Sequence, residues 1–389
     1  MNTITLSDET FHLGKPIWKH PIGGRIKSTP KDFVVIELNS DNTRIDEQDR
    51  RDDEGGLFLT GNAHKIGTDQ GKLIRVLSEV FGVSESEVST SGLKDANAET
   101  TQRFSVFKPK NIPEDPFTYS EDILLSKFRY QREKVYPGSM GGNYFKISIR
   151  ECNTNKLDSE ELTNFITRGI LNYYGYQRFG SLRPVTALIG RELVNSNHKT
   201  AIQLLLGGRS YGNDEKWRKQ WRDNQDPITL LREWKELPIV ERNILNSLKE
   251  SPNNYQKASS TIPQYLRHMF ASAFISGLTN EYLQIRGPEL IPIKGERKKN
   301  RNIEIALPSS KWHAPLNDVW KQVFDNFSLE LTELKSIRHT TRDLLLLPTD
   351  FKLLEQQEAE LTLEFKLNNG CYATTLLREI MQSNPLCYV

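Results

Sequence analysis

The sequence predicts an α+β fold, with strands at both ends of the chain and helices between them. Two patterns carry this. β-branched and aromatic stretches cluster in residues 24–150 and return in 344–374. Between residues 184 and 340 apolar side chains recur at helical spacing, and that stretch holds five of the six tryptophans. A length of 389 residues, 37% hydrophobic and 26% charged, suffices for about two domains with sizeable cores. These shifts mark residues 184–340 as an inserted or second domain between 1–183 and 341–389.

From the N-terminus, Pro30 breaks structure and Phe33-Val34-Val35-Ile36 starts a strand, with Lys27 just before it. Residues 40–55 are almost wholly polar and predict an exposed, mobile loop. Leu73, Ile74, Leu77, Val80 and Phe81 give a helix over 68–81 one apolar face, and Gly82 is a natural stop. The polar loop Ser89–Gln102 follows, with Asp95 at its middle beside Lys94, and Phe104–Phe107 leads out of it as buried structure. Locally, Lys94-Asp95 reads as an ordinary solvated turn.

Residues 127–134 interleave basic and aromatic side chains on a predicted strand, either a phosphate-facing surface or a solvated edge. Gly141-Gly142 turns into an alternating strand to Arg150, and a helix with Leu162, Phe165 and Ile166 on one face follows. It runs into Asn172–Gly180, where the aromatics are too closely spaced to face one core, so a stacking surface for a planar ligand rivals plain burial. In the middle segment Trp217 and Trp221 share a helix face that packs inward, and Gln264–Leu283 is a strong helix. Arg297-Lys298-Lys299-Asn300-Arg301 reads as a basic loop. Leu344–Leu347 predicts a buried strand, Leu361, Leu363, Phe365 and Leu367 alternate as another, and Thr375–Met381 closes the chain as a short helix.

The net charge of +2 gives no global basic field, so any nucleic-acid site must come from local clustering. Three scattered cysteines, Cys152, Cys371 and Cys387, argue against a disulfide framework. The seven histidines are dispersed and no HExxH or CxxC occurs, so no metal site is expected. The first ten residues lack a signal-peptide pattern and no apolar run nears the ~20 residues of a membrane span, so a cytoplasmic protein is expected.

Five stretches, in order along nearly the whole chain, resemble the TruD family of tRNA pseudouridine synthases, archaeal members included. They are Lys27–Val35; Gly92-Leu93-Lys94-Asp95 with Thr101-Gln102; Gly142-Asn143-Tyr144-Phe145; Asn172-Tyr173-Tyr174-Gly175 with Gln177-Arg178-Phe179-Gly180; and Gly370–Thr374 with Arg378-Glu379. Residues 184–340 match only loosely. The resemblance implies a pseudouridine-synthase catalytic domain, with a mixed, mostly antiparallel sheet, interrupted by an inserted α/β TruD domain. It implies cofactor-independent isomerisation of a uridine in tRNA, at position thirteen in family members, with tRNA as the partner.

By the same resemblance Asp95 matches the catalytic aspartate, nucleophile or acid–base group. Lys27 matches a lysine beside it, where a cation would aim the carboxylate. Phe33 matches a residue lining the uridine pocket, Asn172 one that helps hold the site, and Tyr372 an aromatic stacking on the base. Tyr174 stands where the family often has phenylalanine, and Cys371 where it has a small polar residue. A base within a helix must be flipped out, stacked on aromatics and held through its flanking phosphates. Phe33, Tyr174 and Tyr372 are the candidates for stacking. Lys127, Arg129, Arg132, Lys134, Arg297, Lys298, Lys299 and Arg301 are the candidates for backbone contacts. Two rival readings are a non-catalytic RNA-binding or chaperone protein on the same fold, and a hydrolase pairing Asp95 with a second carboxylate.

Overall fold

A computed structural model describes residues 7–47, 51–155, 157–208, 215–330 and 340–388. One large sheet organises it. Its strands are β1 (Gly23–Arg25), β2 (Phe33–Leu38), β3 (Phe58–Ile66), β4 (Val88–Thr90), β5 (Glu99–Phe107), β6 (Phe117–Ser120), β7 (Ile123–Gln131) and β8 (Gly142–Cys152). After the two-residue strand β9 (Ile170–Leu171), which pairs elsewhere, the C-terminal strands β14 (Thr349–Gln357) and β15 (Glu360–Asn368) join the same sheet. The order is β14-β15-β8-β2-β5-β3-β7-β6, with β1 added to β8 and β4 to β5. Only β2 and β5 run parallel, so the sheet is mixed and mostly antiparallel, as predicted. The C-terminal β15 pairs along its whole length with Gly142–Arg150 of β8, which joins β14 and β15 to the N-terminal strands. β8 can start so close to β15 because Gly142 has no Cβ, which would meet the Leu367 carbonyl oxygen.

Helix α1 (Gln70–Phe81) covers one half of the sheet. Asp69 caps it by accepting from the Lys72 amide at 2.9 Å, and Gly82, at φ 63°, ends it. Its Leu73, Val76, Leu77 and Phe81 pack with Phe104, Val106, Leu125 and Phe128 as a separate core. The largest core is continuous from Phe33, Phe145 and Phe365 through to Trp221, Tyr282 and Trp320, and a small third cluster holds Ile36, Ile45 and Met140.

Helices predominate among the described residues between 159 and 327. α2 (Ser159–Arg168) precedes β9; then come α3 (Thr186–Val194), α4 (His198–Leu206), α5 (Lys216–Asn224), α6 (Pro227–Glu233), α7 (Ile239–Glu250), α8 (Tyr255–Ser260) and α9 (Gln264–Arg286). Trp217 and Trp221 are buried, as their shared face predicts. The basic segment is a hairpin, not a loop: β10 (Glu296–Lys299) pairs with β11 (Asn302–Ala306) across Asn300-Arg301. α10 (Asp318–Phe327) follows. β12 (Thr341–Asp343) adds to β11, and β13 (Leu345–Leu346) pairs with β9, so the Leu344–Leu347 run makes only short strands. α11 (Ala373–Met381) closes the chain and is buried throughout.

The 40–55 segment is exposed at residues 40–42, 47 and 51–55, as expected, and departs from expectation only around Ile45. Among its described residues, Ile45 is fully buried and its carbonyl accepts from Asn62 Nδ2 at 2.9 Å, while Arg44 lies 4.7 Å from the Tyr144 ring centroid. A single apolar side chain in a polar run is enough to anchor it.

Candidate active site

The site forms where the loop between β4 and β5 lies over the β2–β8 pair. On β2, Phe33, Val35 and Glu37 share a face, because strand side chains alternate. Their cross-strand partners on β8 are Ile147, Phe145 and Asn143. Lys94 reaches down to the last of these pairs, 2.8 Å from Glu37 Oε1 and 2.9 Å from Asn143 Oδ1. Glu37 is 1% exposed and also accepts from the Ser91 hydroxyl and, at 2.8 Å, from the Arg103 amide. Burial pushes its carboxyl pKa up; the Lys94 charge and the hydrogen bonds from Lys94 and Ser91 pull it back. Lys94 is therefore no solvated turn residue: it pins the loop.

That pinning presents Asp95. Its Oδ2 accepts from Lys27 Nζ at 3.1 Å; the Lys27 side chain is buried and that of Asp95 is 40% exposed. Lys27 takes a left-handed backbone, φ 59°, and Asn97 Nδ2 donates to its carbonyl at 3.1 Å. The Lys27 ammonium stands 4.7 Å from the Phe33 ring centroid, a cation–π contact. A second lysine lies beneath. Lys65, fully buried on β3, donates to the Thr68 carbonyl at 2.6 Å and the Asp95 carbonyl at 3.0 Å. Burial pulls its ammonium pKa down, and the Asp95 charge opposes this.

A cleft of about 200 Å³ opens at Asp95, lined among others by Phe33, Leu93, Phe145, Gln177, Cys371 and Tyr372. Asp95 is the one carboxylate among the described residues that line it. The far wall comes from the Asn172–Gly180 and Gly370–Thr374 segments. Tyr372 packs edge-on against Tyr174, with ring centroids 6.1 Å apart. The Tyr174 amide is held by Asn280 Oδ1 on α9 at 2.8 Å. Tyr173, Tyr176 and Phe179 are buried in the core, and half-buried Tyr174 backs Tyr372 without itself lining the cleft; of the 172–180 segment Gln177 lines it.

Arg342 of β12 joins the two segments. It donates to the Asn172 carbonyl at 2.6 Å, Asn172 Oδ1 at 2.9 Å, the Tyr173 carbonyl at 3.0 Å and the Gly370 carbonyl at 2.8 Å. Its guanidinium carbon lies 3.7 Å from the Tyr174 ring centroid. Asn172 is thus turned to Arg342 and to the Asp343 carbonyl, 3.0 Å away, and does not line the Asp95 cleft. Burial pushes the neighbouring Cys371 thiol pKa up to about 11.

The predicted cationic residues fall in two places. Lys127 and Arg129 lie on β7, and Arg132 and Lys134 just beyond it, towards the end that pairs with Phe58–Thr60. Lys65, which touches the Asp95 loop, pairs at the opposite end; from Lys65 to Thr60, the partner of Arg129, β3 spans about 17 Å. Arg129 pairs with Asp115 at 3.7 Å, the Lys127 amide donates to Asp115 Oδ1 at 2.8 Å, and Arg132 donates to the Glu54 carbonyl at 3.1 Å. Lys134 is exposed. The structure does not bring these residues to Asp95. The hairpin cations lie nearer the far wall: Lys299, 3.2 Å from Asp343, shares a small cleft with Arg342, Asn172 and Gly370. Arg297 pairs with Glu304 at 2.7 Å, and Lys298 and Arg301 are exposed.

The sequence profile of TruD, tRNA pseudouridine synthase D, matches residues 17–304 and 318–380. The chain belongs to the TruD family. Among its relatives, a probable tRNA pseudouridine synthase D from Methanosarcina mazei is 29% identical and one from Archaeoglobus fulgidus 27%. The alignments cover 94% of this chain and 94% of the M. mazei protein, and 93% and 95% for the A. fulgidus pair. The fold resembles the crystal structure of a putative TruD from M. mazei, with TM-score 0.73, 25% identity and full coverage of both chains. The chain is thus an RNA-modifying enzyme, a tRNA pseudouridine synthase. Among the described residues, no helix is long and apolar enough to cross a membrane.

Within this TruD fold, sequence reasoning did not single out Glu37, Lys65 or Arg342. For Glu37 a signal was present, since it follows Phe33 and Val35 at a spacing of two. For Lys65 and Arg342, local sequence marks neither burial nor partner.

Proposed function

We propose that this chain converts the uridine at position thirteen of tRNA to pseudouridine, with Asp95 as its catalytic carboxylate. The observation that carries this is the Lys27–Asp95 contact at the mouth of an aromatic-lined cleft that holds no second carboxylate among its described lining residues. A cleft without a second carboxylate does not favour hydrolysis by a carboxylate pair.

Pseudouridine has the same atoms as uridine. The C1′–N1 bond breaks, a C1′–C5 bond forms, and the C5 proton is replaced by one on N1, so neither oxidant nor group donor is needed. The carboxylate can attack the sugar or take a proton from it and leave again. Lys27 holds Asp95 Oδ2, so the reacting group keeps one orientation. The flipped uracil enters between Phe33 and Tyr372, with Tyr174 and Arg342 behind the latter. Such stacking is worth roughly 1–3 kcal/mol per base. Lys298 and Arg301, exposed on the hairpin beside the far wall, fit phosphate contacts. Residues 184–340 act as the inserted domain, and the enzyme works in the cytoplasm. Pseudouridine mapping of total RNA from cells with and without the protein tests the assignment. The expected result is loss at one position, thirteen of tRNA; loss elsewhere, or none, would overturn the position or the function.

A further inference from the structure

Leu93 is the most exposed large apolar side chain among the described residues, at 86%. Single exposed leucines are ordinary on protein surfaces. This one differs in place and in mounting. It sits two residues before Asp95 and lines the mouth of the same cleft.

The loop beneath it is rigid. Lys94, next in sequence, is plugged into the Glu37–Asn143 pair, and Ser91 donates to Glu37 from the other side. Gly92, between them, has φ 152°, a conformation L side chains rarely adopt. Its carbonyl accepts from the Thr90 hydroxyl at 3.4 Å. Both flanks are tied down, so Leu93 is held out in water beside the reacting group, an arrangement that burial does not reward in the free protein.

We propose that Leu93 is the wedge of the flipping step: it enters the RNA stack where the target uridine leaves it. The inference rests on the function proposed above. A base taken out of its stack leaves a gap one base thick, and an apolar side chain that fills it keeps the neighbours apart and water out. A residue beside Asp95 can reach that gap while Asp95 reaches the flipped nucleotide. Leu93 has that position, and its fixed backbone means no loop ordering is needed on binding.

The test uses a tRNA transcript with 2-aminopurine next to the uridine at position thirteen. Its fluorescence on saturation with the full-length protein reads unstacking, and single-turnover pseudouridine formation reads chemistry. Wild type and Leu93→Met are expected to raise the fluorescence and to react. Leu93→Ala is expected to raise it less and to react at least about tenfold more slowly, or ~1.4 kcal/mol, with tRNA affinity little changed. Leu93→Ala matching wild type in both readouts would overturn the wedge. Slowed chemistry with an unaltered fluorescence change would overturn it too, placing Leu93 against the base only after flipping. If wild type forms no pseudouridine, the proposed function fails while the fluorescence comparison still decides the wedge.

Discussion

Glu37→Gln tests how the catalytic loop is held. The Glu37 carboxylate meets donors only: the Ser91 hydroxyl, the Lys94 ammonium at 2.8 Å and the Arg103 amide at 2.8 Å. A glutamine of the same shape must turn its NH₂ toward at least one of these donors, and Lys94 loses its counter-charge. Removing one partner of a buried ion pair costs about 3–5 kcal/mol. Here Lys94 keeps Asn143 at 2.9 Å and its side chain is 13% exposed, so the lower part of that range applies. The expected loss is about 3 kcal/mol in urea unfolding. Because the loop carries Asp95, displacement of about 1 Å can cost on the order of 10²-fold in turnover. Rate should therefore fall far more than tRNA affinity. Stability within about 1 kcal/mol of wild type, with full turnover, would refute the reasoning, since one ordinary hydrogen bond is worth that much.

Two further outcomes follow from the buried cations. Burial lowers the Lys65 pKa below its unfolded value of about 10.4, so between the two values Lys65 is protonated more in the unfolded chain and its own contribution to stability rises with pH. The stability margin of wild type over Lys65→Met should widen from about pH 8 to about pH 10, checked by urea unfolding at each pH; a narrowing margin contradicts the direction. Arg342→Lys keeps the charge but not the fork that bonds both wall segments, so it should cost about 2–3 kcal/mol and lower kcat more than it raises KM. Unchanged stability and kcat would show that the Asn172 and Gly370 segments hold each other without it.

Much of the fold was legible because it rests on local periodicity. The helix expected over 68–81 is Gln70–Phe81 with Gly82 as its stop, and Leu361, Leu363, Phe365 and Leu367 alternate on β15 as read. What stayed hidden depends on partners far away in sequence. Lys94 read as solvated because nothing nearby pairs with it; its partner is buried on β2. The family resemblance groups Asn172 with Asp95, but the structure turns it to Arg342, whose own partners lie 28 to 170 residues away. For the aromatic cluster at 172–180 the spacing leaves stacking and plain burial as rivals, and the structure divides them: three of its four rings fill the core, because an irregular segment can turn neighbouring side chains to different sides. Lys27 and Asp95, 68 residues apart, were joined by family resemblance, and no local pattern pairs them.

The most direct test of the central claim is Asp95→Asn, which keeps the shape and removes the charge. Its single-turnover pseudouridine formation in a tRNA transcript should fall below detection while the transcript still binds. Turnover near that of wild type would contradict the role given to Asp95.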